Sequence, residues 1–323
     1  MSKFRVNSFD QDPFVFSPDI EGLFEEWGKA SSLMMPCPSY MESVGWRIAE
    51  YLENIFPNVQ IVKESDVKNK LRTLCSNVPS PIIAVDRTYS INGVLSDKID
   101  YLDITKAVGL DYKTIGLIHY NRDISKKDQT VGIFADAARE IALAHKGQKI
   151  ALLDDIVFFG TTMLNIRDVL SEYDVSIECV IAGISTGAAK ENLSTANINL
   201  VSAYHFEHVF NEVCGRDLVV GTPNGGRTVL VVDEVHNHKT VKKAPFIEPF
   251  GTTRWATIPP KHAQNFSNAM LDISIDLWSE IERLNARKIS SEELRNPILN
   301  LNNVNSIVEA LKEIRHKNTK CCL

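Results

Sequence analysis

The chain has 323 residues, 44% of them hydrophobic and 24% charged, with a formal net charge of −6; it is long enough for one large α/β domain with elaborations, or for two domains. The excess of acid gives no overall basic footprint for nucleic acid. With no apolar run of eighteen residues and no apolar h-region after the start, neither a membrane span nor a signal peptide is expected.

In chain order, residues 19–33 (Leu23, Phe24, Trp27) and 40–55 (Val44, Ile48, Tyr51, Leu52, Ile55) carry apolar groups at helical spacing, separated by Pro36 and Pro38. They predict a helical preface packed on the core. From Ser80 the pattern changes to short apolar runs at 82–85, 114–119, 150–153, 177–184 and 198–203, with helices fitting 131–146 and 162–172. That alternation predicts a parallel sheet. The run 228–232 follows the glycine-rich GTPNGGR and reads as another strand or part of a separate hood. Pro245, Pro249, Pro259 and Pro260 then break up a long irregular stretch before an amphipathic helix over about 263–285. The divisions expected are a helical segment at 1–75, an α/β core at 76–235 and a loop-and-helix extension at 236–323.

The most informative segment is KIALLDDIVFFGTTML at 149–164. Residues 150–153 form an apolar run typical of a strand buried on both faces, and Asp154 and Asp155 fall where such a strand emerges, the place where ligands collect in open α/β sheets. Gly160 can take backbone angles that other residues resist, and Thr161 and Thr162 stand at the start of the next helix, whose free N–H groups suit one phosphate.

These residues resemble the PRPP motif of the type I phosphoribosyltransferases: an apolar strand, two acids, two apolar residues, then usually Thr-Gly, a variable residue and Thr. The resemblance implies a parallel-sheet α/β core of that type, to which the apolar spacing adds an N-terminal helical preface and a C-terminal extension. It further implies that Asp154 and Asp155 meet the ribose hydroxyls, directly or through magnesium, and that Gly160, Thr161 and Thr162 hold the 5-phosphate. Phe159 departs from the pattern, standing where the family usually has a threonine. Losing a hydrogen bond to a charged group costs roughly 1.5 to 3 kcal/mol, or one to two decades of affinity. By the same resemblance, Arg87 in the loop 86–90 is the natural pyrophosphate ligand, because a guanidinium forks onto two phosphate oxygens. Arg122 and Lys126, in the basic segment 120–128, are candidate cations of a lid closing over the site.

Further along, Arg216 and Asp217 precede the glycine-rich segment, and Arg254 and Trp255 join charge and ring in a proline-bounded loop; these four form the candidate acceptor side. GTPNGGRT lacks the Lys-Ser/Thr pair of a Walker A loop, which argues against a P-loop ATPase. His205 and His208, three apart, would share one helix face, yet spacing suggests no third zinc ligand. Six cysteines without a C-x-x-C pair indicate neither a zinc site nor a disulfide framework, and a reducing cytoplasm is the expected compartment. The reading that results is an enzyme binding PRPP, a small-molecule phosphoribosyl substrate, with Mg2+ and transferring or hydrolysing at ribose C1 with release of pyrophosphate. The alternative is a non-catalytic PRPP- or nucleotide-sensing module, or an antiphage effector of the retron-associated kind, on the same fold. A protein partner or homo-oligomer stays open in both.

Overall fold

A computed structural model describes residues 11–85, 100–120, 131–233, 238–301 and 303–320. In chain order it contains β1 (Phe14–Ser17), α1 (Glu21–Ser31), α2 (Pro38–Glu53), β2 (Val59–Ile61), α3 (Glu64–Ser76), β3 (Ile82–Ala84), β4 (Asp100–Tyr101), β5 (Ile104–Val108), β6 (Thr114–Tyr120) and β7 (Val131–Ile133). There follow α4 (Phe134–Ala144), β8 (Lys149–Val157), α5 (Thr161–Ser171), β9 (Ser176–Thr186), α6 (Gly187–Thr195), β10 (Asn199–Phe206) and β11 (Asn211–Cys214). β12 (Arg227–Asp233), β13 (His238–Ala244), α7 (Pro260–Leu284) and α8 (Ile307–Lys320) complete the set.

The central layer is a five-stranded sheet in the order β10-β9-β8-β3-β4, parallel throughout. This is the α/β parallel sheet expected from the alternating runs. Its middle strand shows why the run 150–153 is unbroken: Ile150 and Leu152 enter one apolar cluster with Ala142, Ile166 and Leu193 of the helices α4, α5 and α6, while Ala151 and Leu153 enter another with Val67 and Leu71 of α3. A strand covered on both faces has no need of a polar position.

A second sheet, β13-β12-β5-β6-β7, is mostly antiparallel, with only β5 and β12 running parallel. The run 114–119, expected in the parallel layer, belongs here instead. β6 is too exposed for a doubly covered strand, Ile115 being 56% exposed. The run 228–232 is the heart of β12. Its neighbour β13 lies in the stretch expected to be irregular: HKTVKKA places exposed Lys239 on the sheet's edge, and charge on an edge strand obscures its apolar alternation.

The N-terminal segment is only partly helical. β1 pairs in parallel with β2 on one side and with the distant β11 on the other. Around it, Phe24 and Trp27 of α1 and Ile48 of α2 share one core with Met270, Leu277 and Trp278 of α7 and Leu311 of α8. The divisions expected at 75 and 235 are therefore bridged, since apolar faces of the N- and C-terminal helices bury each other. No helix among the described residues is long and apolar enough to cross a membrane.

Candidate functional site

β3 follows β8 only as far as the pair Ala84 and Leu153, whereas β9 continues along it to Val157. Asp154 and Asp155 thus stand on β8 beyond the end of β3, three and two residues short of the strand's own end. The strand order also reverses there, for the chain goes from β3 to β4 on one side and from β8 to β9 and β10 on the other. In open α/β sheets this switch point opens a crevice. Here it is a cleft of about 460 Å³, within the range of small-molecule pockets.

The two acids are held differently. An Asp154 Oδ1 atom accepts the Asp155 N–H at 3.1 Å, and Asp155 Oδ1 accepts the Ile156 N–H at 2.7 Å. The second oxygen of Asp155 accepts from the guanidinium of Arg216, whose other arm and backbone N–H both reach the buried Asp19. The sheet register explains the meeting: Ser17 on β1 lies opposite Cys214 on β11, so the residues two places further on face each other. Burial pushes Asp19 up to about 6 against the pull of Arg216. Arg216 is itself desolvated, but the negative groups around it, Asp19 foremost, hold its pKa well above the usual value.

Glu212, on β11, lines the same cleft. Burial, reinforced by the charges of Asp155 and Asp217, holds its carboxyl well above the ordinary range, and the Cys214 thiol donates to its Oε1 at 3.3 Å. A carboxyl shifted in this direction is better suited than its neighbours to give or share a proton.

Between β8 and α5 the loop 158–160 is anchored from α6: Asn192 Nδ2 donates to the Phe159 carbonyl at 3.0 Å, and Leu193 packs against Gly160. Gly160 sits at φ 71° as the residue before the helix, and no side chain of the described residues caps the helix start. The first N–H groups of α5 therefore keep their capacity for an anion. Thr162 lines the cleft; Thr161 is exposed beside it. Phe159 projects into the mouth, 54% exposed and edge-on to Phe158.

The facing wall comes from the second sheet. Lys106 of β5, Arg227 and Thr228 of β12 and Lys243 of β13 line it, with Phe246 and Trp255 beside them. Lys243, 1% exposed, donates to Thr228 Oγ1 at 2.9 Å. The Arg227 guanidinium lies 5.5 Å from the Phe246 ring centre and 5.3 Å from that of Trp255, cation–π distances. The glycine-rich loop before it is shaped by packing: a Cβ on Gly225 would meet the Arg216 carbonyl oxygen at 2.0 Å.

Of the residues singled out from the sequence, Asp154, Asp155, Thr162, Arg216, Asp217 and Trp255 line this one cleft, with Gly160 and Thr161 on its border. Asp217 also has a scaffold role, its Oδ1 accepting the Gly226 N–H at 2.8 Å. Arg254 is exposed and off the cleft wall; the cation against Trp255 is Arg227. Arg87, Arg122 and Lys126 lie outside the described residues. Sequence reasoning did not find Asp19, Glu212, Arg227 or Lys243. No local motif marks them, although Arg227 is the last residue of the glycine-rich GTPNGGR segment.

Among the described residues no group of three or more His, Cys, Asp or Glu is arranged to hold a metal. His205 and His208 do not share a helix face, for His205 is on β10 and bonds Ser185 Oγ and Glu207. The paired acids suit magnesium as hard oxygen donors acting together with substrate phosphates. Asp155 is engaged by the Arg216 guanidinium.

No protein-family model matches the sequence, and no curated protein does. Part of the chain is similar to solved structures. Orotate phosphoribosyltransferase from Aeropyrum pernix is 17% identical at a TM-score of 0.27, over 44% of this chain and 69% of that one. Adenine phosphoribosyltransferase from Thermoanaerobacter pseudethanolicus is 13% identical at 0.29, over 43% and 80%. A hypothetical protein from Neisseria gonorrhoeae with bound ppGpp is 14% identical at 0.31, over 47% and 85%. Leishmania donovani UMP synthase is matched over 26% of its length, at 13% identity and a TM-score of 0.27.

Proposed function

We propose that the chain binds PRPP in the cleft at the end of β8 and acts at ribose C1. The observation that carries this reading is the convergence of Asp154, Asp155 and the uncapped start of α5 on one cleft at the sheet's switch point. In it, Asp154 meets the ribose hydroxyls and the N–H groups of residues 161–163 take the 5-phosphate. The C1–O bond breaks with its electron pair leaving on pyrophosphate, while a ring nitrogen or a water oxygen bonds to C1 and loses its proton to solvent. Carboxylates along β8 favour the positive charge that develops on the ribosyl group. Magnesium, when bound with PRPP, supplies charge neutralisation on the leaving group.

A second reading is favoured by the Asp155–Arg216 ion pair. Arg216 occupies the second acid of the pair from outside the parallel sheet, so a chain that binds PRPP without turnover, or turns it over only when a trigger draws Arg216 away, has a physical basis. The effector reading made from the sequence belongs here.

Calorimetric titration of the full chain with PRPP, with and without magnesium, followed by a pyrophosphate-release assay, tests both. Binding with release is expected for the enzyme, and binding without release for the sensor. No binding in either condition removes both.

A further inference from the structure

The lining of the cleft carries charge of both signs, with Asp154 and Asp155 at the end of β8 and Lys106, Arg227 and Lys243 supplied by the second sheet. Arg227 is the informative member. Its Nε is buried with no hydrogen-bond partner among the described residues, and burial lowers its pKa, with only the charge of Asp217 acting in the other direction. A guanidinium whose Nε is buried without an acceptor is costly to fold, so its position on a cleft wall points to a ligand that completes it. The rings of Phe246 and Trp255, themselves 5.4 Å apart, lie against the fork, and Trp255 is the partly exposed one of the two. Lys243, nearly fully buried, adds a second fixed cation through Thr228.

We propose that this wall is an oxyanion subsite for the acceptor, and that the acceptor is a planar ring bearing a carboxylate or phosphate group. The assignment rests on the phosphoribosyl reading for the word acceptor, but not for the anion. A guanidinium fork presents parallel donors matched to a planar carboxylate or a phosphate edge, and the partly exposed Trp255 ring beside it suits a flat body. The carboxylates at the end of β8 disfavour the same anion, so the ligand enters in one orientation, its charged group towards β12 and β13 and its reacting atom towards the ribose held at β8. In the transfer, the ring nitrogen's lone pair forms the bond to C1 as pyrophosphate leaves with the C1–O electrons. The ring N–H proton passes to water.

Calorimetry on the full chain with two matched probe pairs tests this: nicotinate against nicotinamide, and phenyl phosphate against phenol, each with and without PRPP. The charged member of at least one pair is expected to bind about ten-fold or more tightly than its neutral partner, and Arg227→Gln to remove that preference while PRPP affinity stays within about two-fold. Which pair discriminates tells carboxylate from phosphate. Equal affinities within both pairs, or no binding by any probe, overturn the subsite. So does an Arg227→Gln variant that loses affinity for PRPP but not for ribose 5-phosphate, because the wall then holds the leaving pyrophosphate. If Arg227→Gln does not fold, Lys106→Gln, exposed on the same wall, is expected to reduce the preference about three-fold. Discrimination without PRPP binding would sink the phosphoribosyl reading and leave the oxyanion site standing; PRPP binding without discrimination would do the reverse.

Discussion

At the scale of single residues, the two adjacent aspartates are chemically alike but differently placed, and their substitutions should differ. Asp154→Asn is expected to lower PRPP affinity at least ten-fold with little change in stability, since Asp154 is only partly buried. Asp155→Asn removes a charge from Arg216, which is buried, and is expected to lower the melting temperature as well as affinity. Equal stability of the two variants would argue against the ion pair. Asp19 gives a test by pH. Its folded-state value of about 6 lies above the ordinary 3.8, so the folded chain binds this proton more tightly than the unfolded one. Its contribution, on the order of 3 kcal/mol, is fully present below the unfolded value and is lost as pH rises through about 6. The melting temperature is therefore expected to rise by a few degrees between pH 7.5 and 5.5, and Asp19→Asn to flatten the slope. A melting temperature that falls over this window in the unsubstituted chain would contradict the assignment.

At the scale of elements, the strand-loop-helix from β8 to α5 was legible because each of its signals is local: an apolar run covered on both faces, paired acids, then a glycine at positive φ before a helix. β9, β10 and α7 were legible for the same reason. β1, β2 and β13 were not, being short or carrying lysine on an edge, which leaves too few periodic positions to read. The acid cluster was hidden for a different reason, because Asp19 and Arg216 are 197 positions apart and meet only through the pairing of β1 with β11. The loop between β8 and α5 has two positions worth changing. Gly160→Ala places a Cβ in a left-handed conformation and 3.0 Å from the buried Leu193, and is expected to cost about 1 to 2 kcal/mol, read in denaturant unfolding. An unchanged midpoint would mean that the loop re-forms without strain. Phe159→Thr restores a hydroxyl at the cleft mouth and, because the ring is mostly exposed, leaves the fold intact. PRPP binding is expected to tighten by about one decade; a weaker complex would identify the ring as a wall of the binding pocket.

At the scale of the whole molecule, the cleft is assembled from three sheets, and the third depends on the N-terminal segment. β11 carries Glu212 and leads into Arg216, and its parallel partner is β1. The helices that follow β1 bury their apolar faces against α7, where Phe24, Trp27 and Trp278 meet edge to face. Trp278 Nε1 also donates to the Val220 carbonyl at 2.7 Å, tying that core to the glycine-rich loop behind the cleft. Composition and local pattern describe each of these pieces without saying that the two ends of the chain share a core, since burial between distant segments leaves the same amphipathic signature whichever partner covers it. Phe14, Phe16, Phe24 and Trp27 are each at most 3% exposed. At roughly 2 kcal/mol apiece their burial is worth about 8 kcal/mol, as large as the whole net stability of a typical domain. A chain starting at residue 76 is therefore expected to be insoluble or to melt without a cooperative transition, despite retaining the entire parallel sheet and both aspartates of β8. Supplying residues 1–75 as a separate co-expressed chain is expected to restore a cooperative melt, because what is missing is an apolar surface rather than a covalent link. A truncated chain that melts cooperatively by itself would show that the parallel sheet is an autonomous unit, and that the Asp19–Arg216 contact is an addition to the cleft rather than part of its frame.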